Sequence, residues 1–230
     1  MPPKFPQPTI RNPIVRMSLS HKAVAVASLI FATSASADIT AYTSQASYLA
    51  AVGTSGVDTF DDLQIWNYPT PAPRQAGDFG YSVTAGPVVN EYWGATDNGS
   101  DWWMSTGYSH DQLAYSGFGE GIVGAGGFFF GSWYNGTSLP IDAIRVTATD
   151  STGATLTWTI ESPEVNSFVG FVSDTHLTSL TVWKDNIPDT FITVNDLHLS
   201  VAAVPEPATY GMLLGGLALL GAAARKRRRA

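Results

Sequence analysis

Between residues 140 and 201, apolar side chains recur at every second position. Ile144, Val146 and Ala148 alternate with polar neighbours, and Leu156, Trp158 and Ile160 do the same after Asp150-Ser151-Thr152-Gly153. A two-residue period puts such side chains on one face of a strand, and a polar, glycine-containing tetrad between two such runs is a turn. The pattern predicts a hairpin in which each strand buries one face. Further strands are expected at 168–173, 178–183 and 190–201, short runs of Val, Phe, Leu, Ile and Thr set off by Asn, Asp, Ser and Pro. Phe128-Phe129-Phe130 reads as another. One short helix is expected over 44–52, with Ser44 as its cap. Many short strands and few helical periods predict an all-β fold, a two-sheet antiparallel β-sandwich.

The two ends of the chain are patterned differently. Lys22 closes a basic segment, Ala23 to Ala32 is apolar, and Ala35-Ser36-Ala37 offers small residues for cleavage, so residues 1–37 read as a signal peptide and Asp38 as the mature N-terminus. Residues 1–16 are proline-rich and contribute nothing to such a signal, which makes Met17 the expected start. Ala208 to Ala224 is a run of 17 uncharged residues. As a helix it would measure about 25 Å, enough to cross a thinned ~30 Å hydrocarbon core. The exported domain is then expected at 38–203 and a membrane-associated tail at 204–230.

Charge sharpens this division. The 230 residues carry a net charge of −7, but the stretch 38–203 holds 18 acids against Arg74, Arg145 and Lys184, a net of −15. Such a domain repels phosphate backbones, so nucleic acid is excluded as a partner. Arg225, Lys226, Arg227, Arg228 and Arg229 follow the apolar run directly, and the positive-inside rule explains them as a cytoplasmic flank. Cysteine is absent, which removes disulfides, cysteine zinc sites and thiol nucleophiles.

Val204-Pro205-Glu206-Pro207, the apolar run and the arginine cluster, in that order at the end of the chain, resemble a PEP-CTERM sorting domain of Gram-negative bacteria. The resemblance implies export and removal of the leader by signal peptidase. It also implies recognition of the tail by an exosortase-type membrane protease, cleavage near Pro205-Glu206-Pro207, and delivery to the cell envelope, cell surface or extracellular matrix, often alongside exopolysaccharide. Separately, Thr59-Phe60-Asp61-Asp62-Leu63 and Val194-Asn195-Asp196-Leu197 resemble the first and last strands of jelly-roll, lectin-like modules, which implies a jelly-roll form of the sandwich.

Catalysis by the exported stretch would need a recognisable set of reacting side chains. The stretch contains no Gly-x-Ser-x-Gly, no His-Glu-x-x-His and no Walker-type loop, and His110, His176 and His198 lie far apart without motif partners. Gly119 to Gly127 lacks the lysine and the following helix of a phosphate cradle and reads as a flexible or tightly packed β loop. Two acidic places, Asp61-Asp62 and Asp97 to Asp101, offer oxygen ligands for calcium, though the second suits an ordinary Asx turn as well. Trp66, Tyr68, Tyr92, Trp93, Trp102, Trp103, Trp133 and Tyr134 cluster among Gly and Asn. They suit either a platform on which the apolar faces of sugar rings stack or the filling of a sandwich core. Adjacent residues of a strand point to opposite faces, so one of Trp102 and Trp103 is expected outside. Together with the location that the tail's resemblance implies, the expectation is a non-enzymatic envelope or matrix protein that binds polysaccharide. The alternatives are a purely structural or adhesive matrix protein and a glycan-cleaving enzyme, which would need two facing carboxylates.

Overall fold

The structure is a computed structural model that describes residues 38–185 and 188–204, with 211–212, 214–218, 220 and 225 of the tail. The expected leader, 1–37, lies outside the described residues, as do 205–207, most of the arginine cluster and part of the expected membrane helix. The described tail residues are helical. No helix among the described residues is long and apolar enough to cross a membrane.

Among the described residues, fourteen strands form two antiparallel sheets packed as a sandwich. The second sheet, of six strands, runs β11 (Thr155–Glu161), β10 (Ala143–Asp150), β13 (Leu177–Trp183), β8 (Gln112–Ser116), β5 (Phe79–Gly86) and β4 (Ala72–Ala76). It holds the predicted hairpin, with Ile144 opposite Ile160, Val146 opposite Trp158 and Ala148 opposite Leu156. On β10 the inward set is fully buried. On β11 the expectation holds only in part: Leu156 and Ile160 are half-buried and Trp158 is exposed, because this edge strand has a neighbour on one side only. Many outward positions carry hydroxyls, and Thr155, Thr149, Ser179, Ser116 and Ser82 align in one row across five strands.

The first sheet runs β1 (Ile39–Tyr42), β12 (Phe168–Ser173), β9 (Ile122–Ser132), β14 (Phe191–Val201), β7 (Trp103–Thr106), β6 (Glu91–Ala95) and β3 (Asn67–Pro69). β2 (Ser55–Asp58) also pairs with β14, over Leu197 to Ser200, while β7 pairs with it at Thr193 and Val194. A register shift between Asn195 and His198 separates these two stretches. The strands predicted at 168–173, 178–183 and 190–201 correspond to β12, β13 and β14. The stretch 59–63, likened above to a strand, is instead the turn after β2. It still comes beside the last strand, because Asp58 pairs with Leu197.

The core lies between the sheets. Val83, Leu113, Tyr115, Val146, Leu180 and Val182 come from the second sheet, and Tyr92, Met104, Phe129, Val169, Phe171, Val194 and Leu199 from the first. Unlike the second sheet, the first is also covered outside. Helix α1 (Gln45–Ala51) begins at Ser44, whose Oγ accepts the Ser47 N–H at 3.2 Å, and lays Tyr48 and Val52 on Phe168. Glycines make room for it. A Cβ at Gly170 would stand 2.5 Å from Tyr48 Cδ2, and one at Gly124 would stand 2.8 Å from its hydroxyl oxygen. Much of the glycine-rich stretch 119–127 is therefore a central strand on which a helix rests, rather than a loop.

Candidate functional site

The other end of the first sheet's outer face carries a groove of about 310 Å³, built on β6 and β7. On β6, Tyr92 points inward and stacks on Tyr68 with ring centroids 5.2 Å apart, so Glu91, Trp93 and Ala95 point outward. Trp93 lies between Asn67 of β3 and Ser105 of β7. Two chain segments fold over these strands where glycine allows it. The turn after β9 is closed by bonds from the Trp133 N–H to the Thr137 carbonyl and from the Gly136 N–H to the Trp133 carbonyl. Gly136 sits at φ +88, and a Cβ there would stand 2.5 Å from the Thr96 carbonyl oxygen, so only glycine brings Trp133, Tyr134 and Asn135 onto the end of β6. The segment before β3 lies close over Gly94, where a Cβ would be 2.2 Å from the Gln64 carbonyl oxygen, and this brings Ile65 to the groove. Phe191, the first residue of β14, completes the apolar wall.

Polar chemistry in the groove is sparse and placed. The Asn67 amide donates to one oxygen of Glu91 at 2.8 Å, and the Trp93 indole N–H reaches the other at 3.4 Å. Asn135 accepts the Thr137 N–H through its Oδ1. The hydroxyls of Ser105 and Thr106 are engaged by the backbone of Ile192. Among the described residues, Glu91 is the one carboxylate in the lining, and no lysine or arginine lines it.

The aromatic residues singled out from sequence divide accordingly. Trp93 and Trp133 line the groove together with Tyr134, and Trp66 stands beside Ile65 with 66% of its surface exposed. Tyr92 and Trp103 are 2% and 1% exposed and belong to the interior, where they have no ring face to offer a ligand. Trp103 packs edge-on against Phe130, and its indole N–H has no acceptor among the described residues. Trp102 is half-buried against the main core, so neither member of that pair stands free. Glu91, Ile65 and Phe191 were not singled out from sequence. Glu91 could have been, since it shares a strand face with Trp93 two residues on. Ile65 and Phe191 arrive through topology alone.

The acidic places have other partners. Arg74 forms a fork with Asp58, at 2.7 and 2.8 Å, and with Asp62, at 2.6 and 3.2 Å. Tyr81 donates to Asp58 at 2.7 Å, and the Arg74 guanidinium lies over the Phe60 ring. These bonds hold the Asp62 carboxyl below its ordinary range. Asp61 is exposed. In the stretch 97–101, Asn98 Oδ1 accepts the N–H groups of Ser100 and Asp101, an Asx turn, and the Asp101 carboxylate takes the Asn195 amide at 3.2 Å. Burial, then Asp101 and Asp61, push Asp196 up. Asp61, Asp62, Asp97 and Asp101 are not joined in one donor set: among the described residues no group of three or more His, Asp or Glu side chains is placed to hold a metal ion.

Comparison with protein families gives one match: residues 203–229 fit the family model of the PEP-CTERM protein-sorting motif. The chain thus carries a C-terminal sorting signal that implies export, recognition by an exosortase and transient membrane anchoring before processing. No curated protein matches the chain, and neither does any solved structure.

Proposed function

For a chain that ends in a PEP-CTERM sorting motif, we propose delivery to the cell envelope or extracellular matrix, where its β-sandwich binds polysaccharide without cleaving it. The observation that carries the binding half is the groove, in which Trp93, Trp133 and Tyr134 meet beside a held carboxylate. Sugar rings present C–H faces that stack on aromatic planes, while their hydroxyls donate to carboxylate and amide oxygens. Hydrolysis of a glycosidic bond uses two carboxylates, and among the described residues the lining offers Glu91 alone, which supports binding over cleavage.

Fractionating producing cells tests both halves. Glu206→Ala in the full chain should leave an unprocessed protein in the membrane fraction. The double variant Trp93→Ala, Tyr134→Ala should be processed normally yet wash out of the polysaccharide fraction. Retention of the double variant at the wild-type level would contradict the binding reading.

A further inference from the structure

Resting on the polysaccharide reading above, we infer that the groove takes a neutral glycan strand and rejects acidic, uronate-bearing polymers. A binder of polyuronate needs cations at the site, because arginine and lysine are the groups that pair with carboxylates. The exported stretch has three cations to offer, and each is engaged elsewhere. Arg74 is spent on Asp58 and Asp62. Arg145 pairs with Asp185 at 3.0 Å, though not in hydrogen-bond alignment, and lies over the Trp183 ring. Lys184 donates to the Ser109 carbonyl at 3.0 Å. None of the three lines the groove, whose single charge among the described residues is Glu91.

Glu91 sets the sign at close range. Its oxygens are oriented by Asn67 and Trp93, which fixes them as acceptors for donors such as sugar hydroxyls. A uronate carboxylate brought to the same place would meet a like charge with no cation between. The net of −15 over 38–203 adds a repulsive field that reaches beyond contact distance at low salt. Tyr134, 76% exposed, and Trp93, 37% exposed, supply stacking surface that needs no charge on the ligand. At about 310 Å³ the groove is near the lower end of the ~300–1,000 Å³ range of small-molecule sites, a size for a short run of sugar rings.

The test splits the host's own exopolysaccharide by anion exchange into an unretained neutral fraction and a retained acidic one. Each is titrated against the processed protein recovered from producing cells, free of the basic tail, at low salt by affinity electrophoresis, with hydroxyethyl cellulose and alginate as defined probes. The neutral fraction should bind, weakened about tenfold by Trp93→Ala, and the acidic fraction should bind at least about tenfold more weakly than the neutral one. Glu91→Lys, at the partly exposed rim, should raise affinity for the acidic fraction. Acidic material bound as tightly as neutral and lost with Trp93→Ala would overturn the inference while leaving the polysaccharide reading in place. Failure of both fractions and both probes to bind would overturn that reading, and the inference with it.

Discussion

Replacing Gly170 by alanine tests how the helix is seated on the first sheet. The backbone there is ordinary strand, so alanine fits the conformation, and the cost comes from space: its Cβ would lie 2.5, 2.8 and 3.0 Å from three ring atoms of Tyr48. Tyr48 cannot easily withdraw. It is fully buried, its hydroxyl bonds Ser200 Oγ at 2.8 Å, and its N–H bonds the Ser44 carbonyl at the helix cap. Overpacking of this kind costs about 1–3 kcal/mol. Tyr48→Ala alone should cost about 3–5 kcal/mol, the range for removing a large aromatic side chain. With the ring gone, the clash goes too, and alanine in a strand is then favoured over glycine by about 0.5–1 kcal/mol. Gly170→Ala should therefore destabilise the wild type and be neutral or stabilising in the Tyr48→Ala background. Urea denaturation of the four proteins measures this cycle. An equal cost of Gly170→Ala in both backgrounds would refute the packing argument.

Arg74→Met should destabilise the domain by about 3–5 kcal/mol, because it leaves the buried Asp58 carboxylate without its cation; adding Asp58→Asn should recover part of that in the same assay. Burial holds His198 at about 4, whereas an unfolded chain titrates near ~6.5. Between those values the unfolded chain binds a proton that the folded one refuses, so stability falls as pH drops through the window, by on the order of 2 kcal/mol at pH 5. His198→Gln should remove that portion of the slope between pH 8 and pH 5, and an unchanged slope would refute the assignment. Trp66→Ala and Tyr134→Ala should stay within about 0.5 kcal/mol of wild type, while Trp103→Ala should lose about 3–5 kcal/mol. Equal losses at all three positions, read by thermal denaturation, would contradict the division between groove and interior.

The second sheet was the more legible because its outer face is open. Ile144, Val146 and Ala148 alternate with Arg145, Thr147 and Thr149, and that period survives in the sequence. The first sheet is buried on both faces, by the core inside and by α1 or the 133–137 turn outside, so Phe128 to Phe130 and the glycines before it show no alternation. Gly124 reflects the nearness of Tyr48 and Gly126 that of the Gly170 backbone, contacts between residues far apart in the chain. For the groove, composition pointed to the right aromatic types, and Trp93 and Trp133 line it. Tyr92 and Trp103 share their neighbourhood in sequence but face inward or lie under cover, which depends on strand register that composition does not encode. The bond between Asp62 and Arg74 was not legible, because it joins the turn after β2 to β4.

The most direct test of the account watches the indole N–H signals of the seven tryptophans in a ¹⁵N-labelled full chain while a neutral oligosaccharide from the host's exopolysaccharide is added. The account predicts saturable shifts at Trp93, whose N–H faces Glu91, and at Trp133, with Trp103, Trp158 and Trp183 unmoved. Shifts confined to Trp158 and Trp183, or none at a saturating concentration, would contradict it.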